Sequence, residues 1–206
     1  MAAETSLLKD RRHSYDGWMS FDRESLANDA VVLTTTRMVM RAVGEADIAR
    51  LHEKILGVPA VMSWVFGGTA LSRRESESFI RANFNFSGAS IGLCALVEKA
   101  SGEVIGFAGL TPCQVLSGDD LEFGFVLALE AWGRGLATEI GRAQISLGFQ
   151  QLGRSRLLAL ASERNTASIS TLEKLGMRHH SDVIPPDRGP RRIYSMEATD
   201  WPVPLS

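Results

Sequence analysis

The sequence is poor in cysteine, has no excess of charge of either sign and contains no long hydrophobic run. Its two cysteines, Cys94 and Cys113, are isolated, so no C-x-x-C spacing of a metal or redox site can be written. We expect two buried thiols in a reducing compartment. The 22 basic and 24 acidic residues give a net charge of −2, without the basic excess of a nucleic-acid-binding domain. These absences leave no sign of a zinc or disulfide scaffold and argue against a nucleic-acid partner.

The amino terminus also lacks the basic segment and apolar stretch of a signal peptide, and no apolar run is long enough to cross a bilayer. We therefore expect a cytoplasmic protein with no membrane partner. The 206 residues, 45% of them hydrophobic, suffice for one core and one domain. Residues 1–30 show no regular hydrophobic period, which predicts an N-terminal extension there and a folded domain over 31–206.

Periodicity and turn chemistry predict alternating strands and helices in that domain. Strands are expected at 37–41, 91–98, 104–110, 121–127, 156–161, 178–183 and 192–198, and helices at 45–56, 72–84, 136–152 and 166–175. The second helix has a strong start signal, because Ser72 and Glu75 form a capping box. The helix between residues 127 and 156 supplies the crossover that a parallel pair of strands needs. The sequence therefore predicts a single mixed α/β sheet.

A glycine-bearing turn joins the strand at 121–127 to its following helix. Gly133 and Gly135 let the backbone turn tightly with its N–H groups pointing inward, and such a nest at a helix N-terminus suits a pyrophosphate. The dinucleotide fingerprint fails, since Thr138 stands in place of its third glycine, and the G-K-[ST] of a P-loop is absent. Taken alone, two glycines are as typical of a tight turn without a ligand.

Further segments give this turn a context. They are residues 33–41 (LTTTRMVMR), 102–110 (GEVIGFAGL), 132–139 (WGRGLATE) and 165–177 (NTASISTLEKLGM). Their combination resembles the GNAT superfamily of acyl-CoA-dependent N-acetyltransferases, and within it the RimJ/RimL-like branch that acetylates amino groups of ribosomal proteins and other amines. The resemblance spans about residues 33–197. It implies the α/β GNAT fold, whose mixed, mainly antiparallel sheet has flanking helices and a splayed parallel pair, here 121–127 and 156–161.

The resemblance also implies acetyl-CoA as co-substrate, bound in the gap between the splayed strands, and no metal. Carried over by position, Val126 and Leu127 would offer backbone groups to the pantetheine amides and the thioester carbonyl. The pyrophosphate would be held by Trp132, Gly133, Arg134, Gly135, Leu136, Ala137 and Thr138. Trp132 stands where the family usually has Gln or Arg, a departure that is common in the RimJ/RimL-like branch.

Acetyl transfer to an amine needs a base for the ammonium, a donor for the oxyanion and an acid for the thiolate. Glu122 shares a strand face with Gly124 and Val126, so it is the candidate base, acting through a water. The alternative for Glu122 is a strand carboxylate that faces solvent or an arginine. A backbone N–H of Val126 or Leu127 is the expected oxyanion donor.

The acid is less well marked, because Leu172 occupies the position where many members of the family have a tyrosine. Ser168, a water or Tyr194 can take that role, and Ser168 can equally be a residue that only starts the helix. Asn165 either binds the pantetheine or the catalytic water, or it caps the following helix.

We therefore expect an N-acetyltransferase that moves the acetyl group of acetyl-CoA directly to a primary amine of a protein N-terminus or a small molecule. The alternative is a catalytically weak or inactive acyl-CoA-binding sensor of the same fold, which the missing tyrosine favours and Glu122 disfavours. Trp64 and Phe66 would shape the acceptor pocket or pack in the core, and Arg188, Arg191 and Arg192 would contact an acidic acceptor or stay solvated. Homodimers are common in the family, so a second copy is a candidate partner.

Overall fold

A computed structural model describes residues 30–116, 118–185 and 189–201 of the chain. The predicted N-terminal extension lies outside the described residues, apart from residue 30, and so does Arg188. None of the helices in the described ranges is long and apolar enough to cross a membrane.

Eight strands and five α-helices follow one another in the described part of the chain. The strands are β1 (Val31–Thr34), β2 (Met38–Arg41), β3 (Gly92–Glu98), β4 (Val104–Cys113), β5 (Asp120–Leu127), β6 (Arg156–Ala161), β7 (Arg178–Val183) and β8 (Arg191–Glu197). The helices are α1 (Glu45–Leu51), α2 (Pro59–Met62), α3 (Arg73–Asn83), α4 (Leu136–Ser146) and α5 (Thr166–Lys174). π-helical turns at His52–Leu56 and Leu147–Gln151 extend α1 and α4, and 3₁₀ turns at Leu129–Ala131 and Ala198–Asp200 follow β5 and β8.

All eleven predicted elements are present, with boundaries shifted by at most a few residues. The capping box is confirmed, since Ser72 Oγ accepts from the Glu75 N–H over 3.3 Å and Glu75 Oε2 accepts from the Ser72 N–H over 2.8 Å. Two further elements, β1 and α2, were not predicted from the sequence. Each has only four residues, too few for a hydrophobic period to show.

The strands form one sheet in the order β1-β2-β3-β4-β5-β6-β8-β7. Every neighbouring pair is antiparallel except β5 and β6, which are parallel and joined through α4. The predicted mixed sheet is therefore confirmed. Hydrophobic side chains pack on both of its faces, because α4 covers one face and α1, α2 and α3 cover the other.

The parallel pair separates soon after it begins. β4 and β5 are in register over eight residue pairs, from Gly106 with Leu127 to Cys113 with Asp120. β5 and β6 share only two, Leu121 with Leu157 and Glu122 with Leu158. Beyond Glu122, β5 runs without β6 as a paired neighbour, which is the predicted splay. This opening, called the gap below, is the feature on which the site is built.

Candidate active site

The carboxyl-terminal half of β5 forms one edge of the gap. The Ala128 N–H donates to the Ile105 carbonyl over 2.9 Å, so strand alternation turns the backbone groups of Val126 toward β4 as well. The same alternation turns those of Phe125 and Leu127 toward the gap. Val126 and Leu127 were predicted as binding residues and Phe125 was not, because the direction of a backbone group depends on the register with β4.

β4 and β5 approach each other very closely at this end. A Cβ atom added to Gly106 would lie 2.2 Å from the Val126 carbonyl oxygen, a distance that only backbone movement could relieve. Glycine is therefore required there by space. At Gly124 there is no such crowding, since a Cβ added to it would meet nothing within 4 Å. The face of β5 over Gly124 is consequently open.

Trp132 ties the glycine turn to the end of β5. Its Nε1 donates a hydrogen bond of 2.8 Å to the Leu127 carbonyl, while 45% of the residue's surface stays exposed. A tryptophan in place of Gln or Arg thus holds the strand end. With its carbonyl engaged, Leu127 has its N–H left to serve a ligand on the gap edge.

The turn itself has the backbone conformation of an anion nest. Gly133 and Gly135 have φ angles of 71° and 76°, in the left-handed region that favours glycine. Gly135 is the N-cap of α4 and offers no side chain, so the first-turn N–H groups of Leu136, Ala137 and Thr138 have no acceptor within the helix. The structure brings the predicted phosphate-binding stretch together at one helix N-terminus. Backbone donors in this arrangement suit a pyrophosphate.

The Arg134 side chain pairs with another residue of this chain. Its guanidinium forms an ion pair with Glu98, at the end of β3, and the hydrogen bond from Arg134 holds the pKa of Glu98 below its usual value. In the predicted pyrophosphate site, Arg134 therefore offers backbone rather than side-chain groups.

A second arginine, Arg37 in the β1–β2 connection, contacts the turn and was not predicted from the sequence to do so. Arg37 Nε donates to Glu139 Oε2 over 2.6 Å, and the Arg37 backbone N–H donates to Glu139 Oε1 over 2.8 Å. Its Nη1 also donates to the Arg134 carbonyl over 2.8 Å. Arg37 and Glu139 are 102 residues apart in the chain, so no local pattern could have paired them.

Glu122 lies where β5 and β6 part. Its side chain is half-buried on the sheet face that carries Gly124 and Val126, and the residue is in register with Thr111 and Leu158. The alternate residues Leu121 and Phe123 pack in the core beneath α4. The structure thus places the predicted base at the closed end of the gap, beside the open surface over Gly124.

Asn165 and Ser168 meet at the start of α5. Asn165 Oδ1 accepts a hydrogen bond of 3.1 Å from the Ser168 N–H, which is the geometry of an N-cap. The capping interpretation of Asn165 therefore has a direct observation behind it. The Ser168 side chain is half-buried.

Tyr194, the other side chain considered for the acid, and Leu172, at the position of the family's tyrosine, are core residues. Leu172 is 4% exposed and Tyr194 is 2% exposed, and both belong to the cluster beneath α4. Tyr194 is in register with Ala159, next to the Leu158 that pairs with Glu122, so its side chain lies on the opposite face of the sheet.

The connection between α2 and α3 places the Phe66 ring against two other aromatic rings near the gap. The Phe66 ring lies 4.8 Å from that of Phe79 and 6.2 Å from that of Phe107, the residue in register with Val126. Arg191 Nη2, from β8, donates to the Phe66 carbonyl over 3.2 Å. Phe66 therefore packs against the core, whereas Trp64 is exposed.

His179 and His180 have separate partners on β7. His179 Nε2 lies 2.9 Å from Asp182 Oδ1, and His180 Nδ1 lies 2.9 Å from Ser181 Oγ. The two adjacent rings therefore have different hydrogen-bond partners on the same strand.

The sequence profile of the acetyltransferase (GNAT) domain matches residues 37–178 of this chain. The chain belongs to the GNAT acetyltransferase family. Acyl-CoA-dependent acetyl transfer is the activity of that family. The mixed sheet with its single parallel pair among the described strands is the GNAT fold.

Two curated proteins are similar in sequence to this GNAT chain. It is 30% identical over 172 residues to the uncharacterized protein YkkB of Bacillus subtilis (strain 168), covering 83% of this chain and 98% of YkkB. It is 26% identical over 157 residues to the FsC-acetyl coenzyme A-N(2)-transacetylase of Aspergillus fumigatus, covering 69% of this chain and 66% of that enzyme.

Solved structures share the fold at lower sequence identity. A GNAT-family acetyltransferase from Bacillus anthracis superposes with a TM-score of 0.69 at 20% identity, covering 81% of this chain and 98% of that one. RimL, a ribosomal L7/L12 alpha-N-protein acetyltransferase in complex with coenzyme A, superposes with a TM-score of 0.64 at 13% identity, covering 81% and 97%.

Proposed function

We propose that this GNAT chain is an N-acetyltransferase that moves the acetyl group of acetyl-CoA directly to a primary amine, and that it belongs to the RimJ/RimL-like branch. One observation carries the proposal. β5 separates from β6 directly after Glu122, and the strand then ends beside the left-handed glycines at the α4 N-terminus. A carboxylate and an anion nest thus lie at opposite ends of one gap.

Acetyl-CoA supplies an activated thioester, and the residues present fit its two parts. The first-turn N–H groups of α4 and those of Gly133 and Gly135 would hold the pyrophosphate. The gap-facing carbonyl of Phe125 and the N–H of Leu127 would bind the pantetheine amides, as an added strand binds a sheet edge. The open surface over Gly124 leaves room for the acetyl group and the amine.

Glu122 is proposed to take the proton from the ammonium through a water. Two residues of extended strand, roughly 7 Å, separate its Cα atom from that of Gly124, and the Glu122 side chain together with one water can bridge that span. The amine nitrogen then attacks the thioester carbon. The N–H of Phe125 stabilises the oxyanion, rather than that of Val126 or Leu127, because Val126 faces β4 and Phe125 is the gap-facing residue next to Gly124. As the C–S bond breaks, the thiolate takes a proton from water or from the Ser168 hydroxyl at the start of α5, which Asn165 caps. The acylated nitrogen loses its second proton to that same group, so the hydroxyl or water is restored.

The names of two similar proteins support the proposal that the acceptor is an amine. One is an N(2)-transacetylase and one is an alpha-N-protein acetyltransferase, so both names describe transfer to nitrogen. We accordingly propose a protein N-terminus or a small amine as acceptor. A homodimer stays a prediction from the resemblance.

The test is thiol release from acetyl-CoA in the presence of N-terminal peptides, polyamines and amino acids. We expect release that depends on one class of amine. Glu122→Gln should lower kcat by at least about 100-fold, the size of a lost general base, with the Kd for CoA unchanged. Glu53→Gln is the matched control, because the Glu53 carboxylate is half-exposed on the π-helical turn after α1 and forms only two long ion pairs, with Arg50 at 3.4 Å and Arg73 at 3.9 Å. It should leave kcat unchanged.

The sensor is the second candidate, and the buried Leu172 at the position of the family's tyrosine favours it. A sensor would bind CoA tightly and release no thiol with any amine. Protein that binds no CoA at all would contradict both candidates.

A further inference from the structure

We infer that Arg37 positions the pyrophosphate site by holding one peptide unit of the glycine turn, although it does not face the ligand itself. The inference rests on the proposed function. Three hydrogen bonds, two to the Glu139 carboxylate and one to the Arg134 carbonyl, connect Arg37 to the turn and the first turn of α4. The fork of a guanidinium is suited to holding a carboxylate and a carbonyl together.

The bond to the Arg134 carbonyl sets the direction of a donor. The carbonyl of Arg134 and the N–H of Gly135 belong to one planar trans peptide unit and point in opposite directions. Because Arg37 Nη1 holds that carbonyl at 2.8 Å, the Gly135 N–H points away from Arg37. Gly135 is in the left-handed region, where a peptide unit without such a partner can turn over at little cost.

The position of Arg37 relative to the sheet shows to which side of the turn the Gly135 N–H points. Arg37 precedes β2, whereas the gap lies between β5 and β6, on the far side of β3 and β4. An N–H that points away from Arg37 therefore points toward the gap side of the turn. There it joins the N–H groups that open α4.

The bonds to Glu139 remove an electrostatic conflict. A carboxylate in the first turn of a helix competes with a phosphate for the same N-terminal donors. Burial raises the pKa of Glu139, but hydrogen bonds from Thr35 and Arg37 and the charge of Arg37 together hold that pKa below its usual value. Glu139 is thus ionised at neutral pH, and Arg37 directs its charge to the side of the turn away from the proposed ligand.

A residue with this role affects ligands that carry a pyrophosphate and no others. CoA and dephospho-CoA have the pyrophosphate, and pantetheine lacks it. Arg37→Met should raise the Kd of both CoA and dephospho-CoA by about tenfold or more, the size of a lost charge-assisted hydrogen bond. The Kd of pantetheine should stay the same, and KM for acetyl-CoA should rise with kcat within about twofold.

Two further variants separate this role from general stability and from charge alone. Arg81→Met is the matched control, since Arg81 is 45% exposed against 44% for Arg37 and bonds a remote carboxylate, Glu45, at 2.6 and 2.7 Å. It should leave all three Kd values unchanged. Arg37→Lys keeps the charge but loses the fork, so it should restore CoA affinity only in part.

The outcomes distinguish this inference from the proposed function. Wild-type protein that binds neither CoA nor pantetheine overturns both. Wild-type protein that binds CoA, with Arg37→Met equal to it or weakened equally toward pantetheine, overturns the inference alone. Weakening toward CoA but not toward dephospho-CoA also overturns it, because the affected group would then be the 3′-phosphate.

Discussion

The Cys94 side chain is fully buried on β3, where Asn85 Nδ2 donates a hydrogen bond of 3.5 Å to its sulfur. Burial raises the pKa of the Cys94 thiol to about 11, and the hydrogen bond from Asn85 offsets only part of that increase. The thiol is therefore neutral over the physiological pH range. Cys113 is also buried, so the predicted pair of buried thiols is confirmed.

Cys94 should resist alkylation in the native protein. In a Cys113→Ala background, iodoacetamide at about pH 8 should modify Cys94 far more slowly than it modifies the unfolded chain, because the thiolate is the reactive species. Mass spectrometry of samples with and without urea measures both rates. Since the pKa is raised, native labelling should accelerate as the pH rises toward about 11. Equal rates in both samples would contradict the assignment.

Single residues also show what a sequence reveals about a site. Gly133, Gly135 and the Ser72 cap were predicted, because each depends on neighbours within a few positions. Arg37 could not be predicted as a partner of Glu139, since the fold alone brings together residues 102 positions apart. The role of Phe125 depends likewise on the register of β5 with β4.

At the scale of elements, the N-cap of α5 separates two explanations of Asn165. Asn165→Ala should lower the free energy of unfolding by about 1 kcal/mol, the usual cost of a lost cap, as measured by urea denaturation. Asn165→Asp keeps an acceptor oxygen for the Ser168 N–H, so it should retain both stability and kcat.

Ser72→Ala is the control for that prediction, because Ser72 caps α3 on the opposite face of the sheet from α4. It should lower stability by a similar amount, about 1 kcal/mol, without changing kcat. A stable Asn165→Asp variant with a large loss of kcat would show that Asn165 contacts the ligand or the catalytic water.

Elements with a clear period were predicted from the sequence, and short ones were not. α3 and α4 each have eleven residues, enough for a buried stripe to repeat. β1 and α2 are held mainly by their neighbours, as β1 is in register with β2 and α2 begins at Pro59, separated by two residues from the end of the π-helical turn. The hydrophobic pattern of a short segment carries no information on such tertiary contacts.

On the scale of the whole molecule, neighbouring strands of the sheet differ in how many residues they pair. β6 and β8 are in register over six residue pairs and β4 and β5 over eight, but only two pairs join β5 to β6. Side chains make the remaining connection, since Phe123 of β5, Leu157 of β6 and Ile140 of α4 share one buried cluster.

This narrow junction has a consequence for partial unfolding. Regions that share few hydrogen bonds tend to open as separate cooperative units. Native-state hydrogen exchange should therefore show β6, α5, β7 and β8 opening together at a lower free energy than β3 and β4. CoA bound across the junction should bring the two opening energies closer, whereas a single exchange class without CoA would show that the shared side-chain cluster alone makes the domain one folding unit.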